Sequence, residues 1–163
     1  MSDIDDLRAD LDAARADLLA SFEGIAQDEF ARRPPPEDGD GAGDPEERWP
    51  VRDILWHAGL LEDWLRRVVD EGVSGRPISR YEARRRPAIA NTPDYLREWL
   101  EQSRRPVLSL LGRLPADALD REFTLPEEEV RTARRLLAHI AQHDREHAEQ
   151  VRALRALPAP EER

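Results

Sequence analysis

The 163-residue sequence predicts an all-α fold, a four-helix bundle with long crossover loops. Three observations carry that expectation. Four stretches repeat apolar residues at alternating spacings of three and four, the period of a helix that buries one face. Stretches rich in proline, glycine and charge separate them. Three of the four histidines, His139, His143 and His147, follow one another at steps of four and so share the helical period.

The first helix is expected from Ser2 to about Phe30. Its seam is Ile4, Leu7, Leu11, Ala14, Leu18, Phe22 and Ile25, and Ser2 or Asp3 can cap it. Residues 31–48, with Pro34-Pro35-Pro36 and a Gly/Asp/Glu run, read as a solvated loop. The second helix opens at Trp49-Pro50-Val51, where proline suits the first turn, and runs to about Glu71 before Gly72. Ile54, His57, Leu61, Trp64 and Val68 share its inner face. Residues 73–92 form a second long loop, made locally basic by Arg76, Arg80, Arg84, Arg85 and Arg86. Two uses fit that loop: holding an anionic substrate or thiol, or balancing surface charge.

Thr92 can cap the third helix, with Pro93 at its first position. The stripe expected there is Tyr95, Trp99, Ser103, Val107, Leu110 and Leu114, and Pro106 should kink or break it. Residues 115–129 read as an acidic connection with two prolines. The fourth helix is expected from about Val130 to Leu157, before Pro158-Ala159-Pro160. No stretch reads convincingly as a strand. One domain over residues 1–157 follows, with 158–163 a frayed tail. Loops as long as 31–48 and 73–92 permit a connection that crosses the length of the bundle.

The helical wheel orients the histidines. With His143 at zero and steps of about 100°, Leu136, Ile140, His147, Val151 and Leu154 centre the apolar stripe near +45°. His147 lies at its centre and His143 within it, while His139 falls at the edge and Gln150 close by. His57 holds a core position on its own helix. Three neutral imidazoles aimed into an apolar bundle are costly unless bonded or bound, and a divalent metal is an economical partner. Zn²⁺, Ni²⁺ and Fe²⁺ all suit such a donor set. Three protein ligands leave a position open for water or substrate, the pattern of a catalytic site. Glu146 can reach the rim, Trp49 and Trp64 can wall the site, and Asp144 is expected to face a neighbour or solvent. A di-iron centre needs inward carboxylates, and the wheel turns Glu62 and Asp63 away from His57.

Composition narrows the partners. There are 35 acidic and 25 basic residues, a formal net charge of −10, which disfavours nucleic acid and anionic membranes. Every basic residue is arginine. Cysteine is absent, so there is no disulfide, thiolate ligand or thiol nucleophile. No apolar run approaches membrane-spanning length and the acidic N-terminus is no signal peptide, so a cytoplasmic soluble protein is expected. Leu60, Leu65 and Val69 lie off the His57 face and suggest a homodimer contact.

The stretch Trp49-Pro50-Val51-Arg52-Asp53-Ile54-Leu55-Trp56-His57, followed far downstream by His143-Asp144-Arg145-Glu146-His147-Ala148-Glu149-Gln150-Val151, resembles the DinB/YfiT-like family. The resemblance covers nearly the whole chain. It implies a four-helix bundle of unusual order, with a divalent metal held by His57, His143 and His147. His139 matches a frequent extra histidine one turn earlier. It also implies a small-molecule substrate and an S-transfer or isomerisation that borrows a low-molecular-weight thiol. A metal-dependent hydrolase and a non-enzymatic metal-binding or stress protein are the alternatives. The resemblance implies no DNA binding.

Overall fold

A computed structural model describes residues 3–34 and 48–158. Five α-helices are present: α1 Asp3–Ser21, α2 Gln27–Ala31, α3 Val51–Val73, α4 Pro93–Leu111 and α5 Ala133–Arg155. The long four make the bundle. Helix α1 packs on α5, α5 on α3, and α3 on α4, while α4 meets α1 more lightly.

Side-chain pairings set the directions. Arg134, Arg145 and Arg152 of α5 meet Asp3, Asp10 and Asp17 of α1 in order, so those two helices run parallel. Arg52 bonds Asn91, just ahead of α4, at one end of α3, and Glu62 bonds Ser103 farther along, so α3 and α4 also run parallel. Arg15 of α1 reaches Leu100 and Arg8 reaches Leu108, which makes α1 and α4 antiparallel. Val51 and Ile54 cluster with Ala148 and Val151, whereas Leu65 and Val69 cluster with Leu137 and Ala141, so α3 and α5 are antiparallel. The order is up, down, down, up. Two consecutive parallel helices need a connection as long as the bundle. Residues 74–92 provide it, as the length of that loop allows.

The structure corrects several boundaries. The first seam is two helices. Gly24, at φ +65, takes the left-handed conformation that ends α1, and Phe22, Ile25 and Phe30 still bury beyond the break. Helix α3 passes Gly72 and stops at Val73, before Gly75 at φ +66. Thr92 caps α4 as expected, accepting from the Tyr95 N–H at 3.2 Å. Pro106 does not break α4. The buried stripe of that helix begins Leu96, Leu100, Arg104, one residue later than expected, and Tyr95 is exposed. A charged residue at a core position hid the true face.

A small hairpin was not foreseen. Glu122–Thr124 (β1) pairs antiparallel with Val130–Thr132 (β2), and Thr132 then caps α5. Helix α5 therefore starts three residues later than expected. The hairpin closes one end of the bundle: the Phe123 ring lies so close to Gly72 that a Cβ there would be 2.5 Å away. The expected 31–48 loop falls mostly on residues outside those described, as does the tail beyond Pro158. Leu65 and Val69, which suggested a subunit contact, are buried in the chain's own core. No helix among the described residues is long and apolar enough to cross a membrane.

Candidate metal centre

Antiparallel α3 and α5 bring His57 against His143 and His147. Ring centroids are 5.2 Å apart for His57–His143, 5.5 Å for His57–His147 and 4.2 Å for His143–His147. One nitrogen from each ring lies within 4.8 Å of the others, and His143 Nε2 sits 3.0 Å from His147 Nε2. The step of four places both α5 imidazoles one turn apart on the inner face. His139 is exposed, 6.0 Å from His143 between centroids, and is not part of this group.

Protonation follows from burial and neighbours. Desolvation, and then the facing His147, lowers His57 to about 4. Desolvation, then His147 and His57, lowers His143 to about 2. Both are neutral near pH 7. Gln150, one turn beyond His147, places its Oε1 2.9 Å from His147 Nδ1. A carbonyl oxygen only accepts, so His147 carries its proton on Nδ1 and presents the Nε2 lone pair toward His143.

These residues fit a divalent ion. The donors are three convergent, borderline-soft imidazoles, and one is already oriented by an outer hydrogen bond. Two Nε2 atoms 3.0 Å apart offer one hydrogen bond at most, whereas a cation between them would use both lone pairs.

The 74–92 connection runs back along α3 and forms one wall. Trp64 Nε1 donates to the Ser79 carbonyl at 2.9 Å, and Ser79 in turn donates to Glu71 through both N–H and O–H. Trp56 Nε1 donates to the Arg84 carbonyl, and Arg86 pairs with Asp53 at 2.6 Å. The Tyr81 hydroxyl comes to 3.4 Å from His57 Nδ1, and Trp49 sets its ring edge-on to His57 at 5.1 Å. Between this strap and α3 lies a cavity of about 420 Å³, with His57 in its lining. Trp64 acts on the site through the strap and Tyr81, at 5.4 Å between rings. Glu146 is exposed and accepts from Gln142 on the outer face of α5. Tyr81 is the residue that sequence reasoning missed here, because an irregular loop has no period to orient it.

Beside the histidines lies a buried charge cluster drawn from all four long helices. Arg15 contacts Glu62 at 2.5 Å and Asp144 at 2.9 Å; Arg104 contacts Glu62 at 2.6 Å and Asp144 at 2.7 Å. Ser103 adds a hydrogen bond to Glu62 at 2.8 Å. The four charged residues are at most 5% exposed. Asp144 therefore does not face solvent: it turns inward on the side of α5 that meets α1 and α4. Glu62 points away from the histidines, as the wheel indicated, but into a second polar centre and not toward water.

Comparison with known proteins gives one finding. The family model described as the DinB superfamily matches residues 10–151. No curated protein and no solved structure gives a significant match.

Proposed function

The chain belongs to the DinB superfamily, and from that premise we propose that it is a divalent-metal-dependent enzyme that transfers a low-molecular-weight thiol to an electrophile. The observation that carries the reading is the convergence of His57, His143 and His147, with His57 in the lining of an open cavity. A purely structural site would supply four ligands; this group offers three, and one of them, His57, borders a cavity of about 420 Å³.

The residues divide the work. His57, His143 and His147 would hold Zn²⁺, Ni²⁺ or Fe²⁺, and Gln150 fixes the tautomer of one of them. The ion, when bound, supplies a Lewis acid that lowers the pKa of a thiol brought to it. The lack of cysteine means that any sulfur nucleophile comes from a cosubstrate. Trp49 and Tyr81 pack against the His57 ring and hold its orientation. The neutral state of His57 and His143 keeps protons from competing with the ion at neutral pH.

The test is a turnover screen of metal-loaded protein with small thiols and an electrophilic aromatic dye. Conjugation that needs both metal and thiol is expected. Ester or amide cleavage without thiol would replace the reading with a hydrolase, and no turnover across the panel would reduce it to metal binding alone.

A further inference from the structure

The cavity beside His57 is basic in an acidic protein. Among the described residues, Arg33, Arg52, Arg84, Arg85 and Arg86 line it, against a single acidic residue, Asp53. Asp53 is already engaged by Arg86. Arg52 gives one Nη1 hydrogen bond to the Asn91 side chain, and its Nε is buried without a hydrogen-bond partner. Arg33, Arg84 and Arg85 are paired with no carboxylate among the described residues. An unpaired buried guanidinium N–H is expensive, and several cations left facing one concave space repel one another. In a chain of net charge −10, the described residues around this cavity leave the patch positive.

The patch is also held in place. Trp56 bonds the Arg84 carbonyl, Arg86 bridges Asp53 and the Ala90 carbonyl, and Ala90 is buried. The arginines at 84 and 85 thus project from a pinned stretch of backbone. Planar guanidinium forks match oxyanions in bidentate geometry.

We propose that this cavity is the recognition site for the carboxylate or phosphate end of a small substrate, gripped by Arg33, Arg52, Arg84 and Arg85 with its other end toward the histidines. The proposal rests on the metal-centre reading for its orientation but not for its binding. The cavity size suits a small molecule. Trp49 and Trp56 lie in the same lining, so binding is readable as a change in their fluorescence.

The experiment titrates the full-length protein, with and without Zn²⁺, with succinate, with inorganic phosphate and with neutral succinamide. Succinate or phosphate should give a saturable signal, and whichever binds more tightly names the group; succinamide should give none. The exposed pair Arg84→Gln/Arg85→Gln should weaken the response at least tenfold, with an unchanged thermal midpoint and unchanged Zn²⁺ binding. Equal responses to succinate and succinamide, or equal responses of variant and wild type, would overturn the proposal. So would silence of the wild type toward both anions, which would leave the arginines as counterions for the chain's own acids. Failure to bind Zn²⁺ with the anion response intact would sink the metal reading alone.

Discussion

At the scale of residues, the site was legible because histidine is rare here and its spacing is periodic. Four imidazoles in one chain, three of them on one helix, could be sorted by angle, and the structure sorts them the same way: His143 and His147 inward, His139 exposed. Replacing His57, His143 or His147 by Ala should abolish tight Zn²⁺ binding measured by calorimetry, while His139→Ala should leave it. Gln150→Ala should weaken it by roughly 10–100-fold, the usual effect of losing an outer hydrogen bond to a ligand. His57 and His143 set a pH dependence in metal-free protein. Their folded pKa values lie below the ordinary value near 6.5, at about 4 for His57 and about 2 for His143. Above about 6.5 they are neutral in both folded and unfolded chains, so their neutral burial is tolerated fully there. Below it the unfolded chain takes up protons that the folded chain refuses, and stability falls as pH drops toward the folded values. The thermal midpoint of chelator-treated protein should fall from pH 6.5 to 5.5, where carboxylates remain charged. His57→Ala/His143→Ala should flatten that slope.

At the scale of elements, periodicity found the four long helices and missed what has no helical period. Gly24 ends α1 by its left-handed backbone, although the apolar seam runs on through Ile25. The three-residue strands β1 and β2 are too short to show alternation, and Phe123 of β1 packs against Gly72 of α3. Glycine at a contact is a signal that a wheel ignores. Gly59 lies where α3 and α4 approach, and a Cβ there would stand 2.1 Å from Trp99 Nε1. Trp99 cannot swing aside easily, because it stacks on Trp56 at 4.7 Å. Gly59→Ala gains helix propensity of up to ~1 kcal/mol but overpacks by about 1–3 kcal/mol, so a net loss of up to roughly 2 kcal/mol is expected. Chemical denaturation measures it, and a shift in tryptophan emission should accompany it because Trp56 bonds the strap.

At the scale of the whole molecule, the parallel pairs α1/α5 and α3/α4 force a long crossover, and that crossover becomes the wall of the site. The loop length was visible in sequence; its path was not, since nothing in the α3 pattern shows that the indoles of Trp56 and Trp64 bond the loop backbone. The same holds for the cluster of Arg15, Glu62, Arg104 and Asp144. Hydrophobic pattern places charges outside, and only the meeting of four helices shows them paired within. Asp144→Asn would leave two buried guanidiniums facing one carboxylate, a loss of about 3–5 kcal/mol by denaturant midpoint. Metal adds to this scaffold and does not create it. At a hundredfold excess over Kd the ion should contribute roughly 2.7 kcal/mol, and a chelator should remove that increment while leaving a folded bundle.

Whether the three histidines form one metal site is read directly from metal stoichiometry. Metal-free protein would be titrated with Zn²⁺ by calorimetry, and bound metal counted by elemental analysis, for wild type and His143→Ala. One tightly bound ion per chain is expected in the wild type, and none in a variant that keeps its helical content. A wild type that binds no ion, or a His143→Ala protein that still binds one as tightly, would contradict it.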